Sequence, residues 1–323
     1  MKIFRQLGSL LVAAVLLVGS ALGADPSPSE LWNAGRMDEA MKALNAAVTA
    51  NPNDAHSYYM LSRAYYSLED FEAAIKFGEK AVQLKPTEAS YQFWLGRAYG
   101  ERADRVGAFS AMGLAKKTVA AFERAVKLNP NDQAARRALA EFYVEAPGIM
   151  GGGRDKARAL ADQVAATDPA ITAWIRALIA NKEKNWGDAE THFKNAVRAS
   201  GNASWAWLEL ARFFAWGKRW NEFEAAMASA LASEKKRPAD YFNVGDMLLG
   251  TGRNFPAAVQ ALRTYLAAPK KDDEYPAFRV HYMLGQLFEK SGDKKQAAQE
   301  YRQALSLASG YGPAQKALKR IGS

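Results

Sequence analysis

Three histidines and no cysteine set the first limits on chemistry in this 323-residue sequence. Without thiols there is no disulfide, thiolate metal site, iron–sulfur cluster or cysteine nucleophile. His56, His192 and His281 lie far apart, in none of the spacings that hold zinc. Gly148-Ile149-Met150-Gly151-Gly152-Gly153 follows the glycine spacing of a phosphate loop. Arg154-Asp155 then stands where a lysine and a hydroxyl residue would be needed, and a helix rather than a strand is expected ahead of it. Loop closure is the better reading. No nucleophile–base pair, metal cluster or repeated acid pair stands out, so the sequence does not read as an enzyme and implies no cofactor. Five tryptophans, Trp174, Trp205, Trp207, Trp216 and Trp220, form a sequence cluster able to stack on sugar rings, which makes cell-wall glycan an alternative ligand.

With 49% hydrophobic, 24% charged and 11% aromatic residues, the chain can bury a sizeable core. Residues 1–24 read as a cleavable signal peptide. Lys2 and Arg5 precede an apolar run from Leu10 to Val18, too short to span a bilayer, and small residues lead to cleavage after Gly23 or Ala24. The mature protein is therefore expected in the periplasm or outside the cell, and not spanning a membrane. Loss of Lys2 and Arg5 lowers the net charge from +9 to +7. The remaining excess sits in separate clusters, Lys116-Lys117, Lys235-Lys236-Arg237, Lys270-Lys271 and Lys316 to Arg320, which read as solvated faces and helix ends. Export argues against nucleic acid as a partner.

The elements that must position any site repeat along the chain. Asn51-Pro52-Asn53-Asp54 recurs as Asn129-Pro130-Asn131-Asp132, with Lys85-Pro86 and Asp168-Pro169 as weaker copies. The four prolines stand 34, 44 and 39 residues apart, a unit of 34 with insertions. Ala40, Ala74 and Ala157 precede prolines by twelve residues, and Ala47, Ala81 and Ala125 by five, places where small side chains let helices approach closely. Apolar residues at three- and four-residue spacing, as in 71–84 and 295–307, predict amphipathic helices. Together with Leu95-Gly96 and Tyr99, Leu284-Gly285 and Phe288, Ala189 with Phe193 and Ala196, and Ala297 with Tyr301 and Ala304, these features resemble the tetratricopeptide repeat, in an exported bacterial form with insertions in the third and fourth units.

The resemblance implies an all-α fold, a right-handed α-solenoid of about eight helix-turn-helix units over residues 25–311, with 312–323 as a capping helix. The units are placed at 25–54, 55–88, 89–132, 133–169, 170–203, 204–238, 239–277 and 278–311. It also implies a concave groove that binds protein or peptide ligands. Carried onto this sequence, the groove positions are His56, Tyr59, Arg63, Tyr66, Phe93, Arg97, Arg137, Glu141, Trp205 and Arg212. Arginines flanked by rings suit an extended peptide bearing carboxylates. On that reading Arg97→Glu harms binding and leaves the fold intact, although packing between helices equally explains the aromatics. The insertions are expected as two edge loops, 103–113 with Phe109 and Met112, and 146–153 with Ile149 and Met150. Packing on each other and contacting a partner both stay open for them.

Overall fold

A computed structural model describes residues 26–322, apart from 270, 272 and 273. The proposed signal peptide lies outside the described residues. Seventeen α-helices and one 3-10 turn make up the described structure, which contains no strand. The helices run as antiparallel pairs: α1 Pro28–Asn33 with α2 Met37–Ala50, α3 Ala55–Ser67 with α4 Phe71–Leu84, and α5 Ala89–Ala103 with α6 Ala108–Leu128. There follow α7 Gln133–Glu145 with α8 Arg154–Val164, α9 Pro169–Lys182 with α10 Trp186–Ala199, and α11 Ser204–Trp216 with α12 Trp220–Ala232. The last pairs are α13 Pro238–Thr251 with α14 Phe255–Ala267 and α15 Ala277–Lys290 with α16 Lys294–Leu307, after which α17 Gly312–Ile321 packs on α16.

The two copies of Asn-Pro-Asn-Asp build the same turn. Asn51 and Asn129 end their helices by donating backbone N–H to the carbonyls of Ala47 and Ala125, and their side chains accept from the amides of Asn53 and Asn131. Asp54 and Asp132 then cap the next helix, accepting from His56 and Ser57 and from Ala134 and Ala135. Each cap satisfies amides that the helix cannot, a contribution of about 1 kcal/mol. Within a pair, small residues set the distance. A Cβ on Gly96 would stand 2.7 Å from the ring of Phe122, so α5 and α6 reach this separation only with glycine there. Ala40, Ala74, Ala81, Ala125 and Ala157 are all buried.

The two stretches expected as edge loops take different forms. Residues 108–113 are not loop: α6 begins at Ala108, so Phe109 and Met112 stand on its first turns. Over 108–117 Ala, Met, Leu and Lys predominate, and their helix propensity carries the backbone through Gly113. The 146–153 stretch forms a 3-10 turn, Gly148–Met150, closed by glycines. The amides of Gly151, Gly152 and Gly153 donate to the carbonyls of Gly148, Pro147 and Tyr143, and a Cβ at Gly152 would overlap the Ala146 carbonyl oxygen. These amides are spent on the loop itself and form no phosphate cradle. The turn packs against α6 near Val119, while Phe109 and Ile149 stay 92% and 68% exposed.

The ends of the array meet. Trp32, Met37, Leu44, Met60 and Leu61 from the first pairs share one buried cluster with Phe278, Ala304, Ala308, Tyr311 and Ala314 from the last. The Ser309 amide donates to the Asp38 carboxylate at 2.9 and 3.2 Å, and the Tyr311 hydroxyl to Glu69 at 3.3 Å. The described array is thus a closed ring. Its α17 helix, expected to cap a free end, packs on α16 on one side while Ala314 faces the first repeats on the other.

Candidate functional site

Ring closure converts the expected groove into an enclosed inner face. A cavity of about 330 Å³ there is lined by the first helices of several pairs, through Phe93, Arg97, Arg137, Glu141, Trp205 and Arg212. A second, of about 620 Å³, opens between α6, α7 and the 3-10 turn beside Ala115, Phe142 and Met150, and shares Arg97 and Glu141 with the first. The inner face therefore runs on to the edge at the 3-10 turn.

Arg97, Arg137 and Arg63 rest on aromatic rings. The Arg97 guanidinium carbon lies 4.6 Å from the ring centre of Trp94, 4.9 Å from Tyr66 and 5.8 Å from Phe93. Arg137 stands between Trp174 and Trp205 at 4.7 and 5.0 Å. Arg63 is buried against Trp94, Trp32 and Tyr59, and Tyr59 itself stacks on Tyr91. Such contacts are worth roughly 0.5–2 kcal/mol each and hold the guanidinium plane in one orientation.

The charges these arginines meet come from the same chain. Arg97 pairs with Glu274, which lies between α14 and α15, and donates to the Tyr66 hydroxyl at 3.1 Å. Arg137 donates to Glu209 at 2.5 Å, while Arg212 reaches that carboxylate only at 4.0 Å and keeps a half-exposed side chain. Arg97, expected to pair with a ligand carboxylate, here has an intramolecular partner in Glu274. Glu209, Glu274 and Tyr275 escaped the sequence reading. Glu209 carried one signal, its place three residues before Arg212 on α11; Glu274 and Tyr275 lie outside any helical period.

Burial disfavours the charge of Arg97, but Glu274 and Tyr66 outweigh it and lift the pKa above the ordinary arginine value. Burial alone would raise Glu209, yet Arg137 and Arg212 hold its carboxyl below the usual range. Glu141 behaves oppositely. It is open to solvent at the cavity wall, but the surrounding protein desolvates it and the negative charge of Glu209 adds repulsion. Its pKa rises despite Arg137, Arg212 and Arg97. An ionised Glu141 thus costs folding stability at neutral pH, a cost that shrinks as the pH falls through its raised pKa.

Two stretches of the sequence, residues 29–89 and 245–312, match the family profile described as tetratricopeptide repeat. These two stretches are similar to the tetratricopeptide repeat. Among curated relatives it is similar to Superkiller complex protein 3 of Mus musculus, 23% identical over 298 residues, and to Tetratricopeptide repeat protein 37 of Xenopus laevis, 23% identical over 293. Each alignment covers 88% of this chain and 18% of the relative, so the chain spans under a fifth of the length of the curated relatives it matches. Among solved structures, a tetratricopeptide repeat protein of Parabacteroides merdae aligns over 92% of this chain and 96% of its own, with 13% identity and a TM-score of 0.46. A thermophilic TPR protein of Thermus thermophilus aligns over 58% of this chain and 95% of its own, with 20% identity and a TM-score of 0.45.

The tryptophans do not gather on one face of the repeats. Trp174 is fully buried, and Trp205 lies beside Arg137. Trp207 lines a separate cavity with Leu210 and Phe214, Trp216 is exposed, and Trp220 lies under Arg253. His281 meets Glu300 at 2.7 Å. Among the described residues no group of three or more His, Asp and Glu is placed to hold a metal, and no helix is long and apolar enough to cross a membrane.

Proposed function

We propose that this repeat protein is exported and binds segments of partner proteins on its inner face. Phe109 and Ile149 extend the contact surface at the edge, where the second cavity opens. The observation that carries this reading is the arrangement around Glu209. Arg212 keeps a half-exposed side chain on the cavity wall that Trp205 also lines, while the nearer Arg137 takes the Glu209 carboxylate. A guanidinium with spare donors next to a rigid ring is suited to a carboxylate-bearing peptide. Two measurements test the proposal. Fluorescence titration of an array of acidic peptides should find binders that Arg212→Gln weakens roughly tenfold or more, with a melting curve to confirm that the variant is folded; unchanged affinity in the folded variant removes Arg212 from the site. For export, N-terminal sequencing of the protein from cell envelopes should begin at Ala24 or Asp25, because the small residues before them suit signal peptidase. A chain still beginning at Met1 would count against it.

A further inference from the structure

Resting on the reading of the inner face as a binding surface, we infer that the Arg97 site takes an acidic residue followed by an aromatic one from a partner protein, and that Glu274 and Tyr275 of this chain occupy it until the partner arrives. The receiving half of the contact is built without them. Arg97 is oriented by its hydrogen bond to Tyr66 and by the rings of Trp94, Tyr66 and Phe93, all on α3 and α5. The guanidinium therefore keeps its place when Glu274 leaves. For the neighbouring residue there is a second receptor. The Tyr275 ring stacks on Phe242 with centroids 4.0 Å apart and planes 15° from parallel, and its carbonyl accepts from the Tyr265 hydroxyl at 2.6 Å.

The occupying half belongs to no helix. Glu274 and Tyr275 fall between the end of α14 at Ala267 and the start of α15 at Ala277, so exchanging them for another chain breaks no helical hydrogen bond. An incoming acidic–aromatic pair replaces what Arg97 and Phe242 lose, while the Tyr265 hydroxyl must give up its bond to the Tyr275 carbonyl. The Arg97 and Glu274 side chains are 22% and 29% exposed, so water reaches the ion pair and a competing carboxylate can approach it. Both residues line the same cavity as Arg137 and Trp205, giving a longer bound segment a path onward along the inner face.

An intramolecular occupant reduces apparent affinity by the fraction of molecules in which it has withdrawn. The probe is a labelled peptide copying residues 268–279, titrated into the full mature chain. Glu274→Gln with Tyr275→Ala should bind it at least roughly tenfold more tightly than the wild type, and a further Arg97→Gln should abolish the gain. Glu274→Gln alone serves if the double variant melts early. A folded Glu274→Gln chain that binds the copy peptide no better than wild type overturns the inference. Peptides without acidic residues that bind in an Arg212-dependent way, with no binding of the copy peptide, overturn this ligand class and leave the inner face as a binding surface. No peptide bound by any variant overturns both readings. A wild-type dimer in sedimentation at the assay concentration would assign the site to a second copy of the chain and overturn the partner reading.

Discussion

Replacing Arg137 by alanine should lower folding stability by roughly 3–5 kcal/mol, because it strands a buried carboxylate. Glu209 is 7% exposed, and its nearest cation is Arg137 at 2.5 Å. Arg212, at 4.0 Å and half in solvent, is a weak substitute. The substitution also removes the guanidinium from between Trp174 and Trp205. The charge component has a distinct signature. Glu209 titrates below the usual carboxylate range when folded, so its contribution is present above its unfolded pKa of about 4.3 and is lost as pH falls through the folded value. The gap between wild type and Arg137→Ala in urea denaturation should therefore narrow as the pH falls below about 4 and close only below the lowered folded pKa, where Glu209 is protonated in both. Adding Glu209→Gln to Arg137→Ala should recover part of the loss at pH 7. A gap under about 1 kcal/mol at pH 7 would mean that Arg212 or water already compensates Glu209, and Arg137 would revert to an ordinary surface charge.

What the sequence could disclose was whatever acts over a few residues. Asp54 and Asp132 cap helices through amides two and three residues away, and Gly96 meets Phe122 within one hairpin, so periodicity, caps and small-residue spacing suffice to recognise an all-α helical repeat. The inner-face positions of Arg97, Arg137 and Arg212 were equally legible, since they follow from the helical register. Their partners were not. Arg97 finds Glu274 across 177 residues, and that meeting depends on curvature accumulated over four intervening helix pairs. The same limit applies to Phe109 and Met112. A run rich in good helix formers can extend α6 or leave it as loop, and packing of the 3-10 turn against α6 accompanies the helical outcome.

Truncating Phe278 to alanine should open the ring as well as destabilise it. An open solenoid is held by contacts between neighbouring repeats, and each repeat's loss is felt locally. Here one additional interface joins the first repeats to the last, and Phe278 is at its centre, fully buried, with its ring 4.9 Å from that of Tyr311 and in one cluster with Trp32, Met37 and Met60. Removing a buried phenylalanine costs roughly 3–5 kcal/mol through lost burial and the cavity left behind. In this position much of that cost should fall on closure rather than on any single helix pair, since α15 retains its packing on α16. Small-angle scattering should then show a larger radius of gyration for Phe278→Ala with little change in helical circular dichroism. The absence of native cysteine provides a direct check of the closed state. A Cβ on Gly35 would stand 3.3 Å from the Cβ of Ala277, near the spacing a disulfide requires, so Gly35→Cys with Ala277→Cys should cross-link on mild oxidation and hold the ring shut, at some cost in stability because Gly35 has φ +76°. Phe278→Ala in that background should slow the cross-link severalfold, since the two cysteines meet only while the seam is closed. If the cysteines fail to join in the folded double variant and scattering fits an open superhelix, closure is wrong, and the inner face reverts to an open groove.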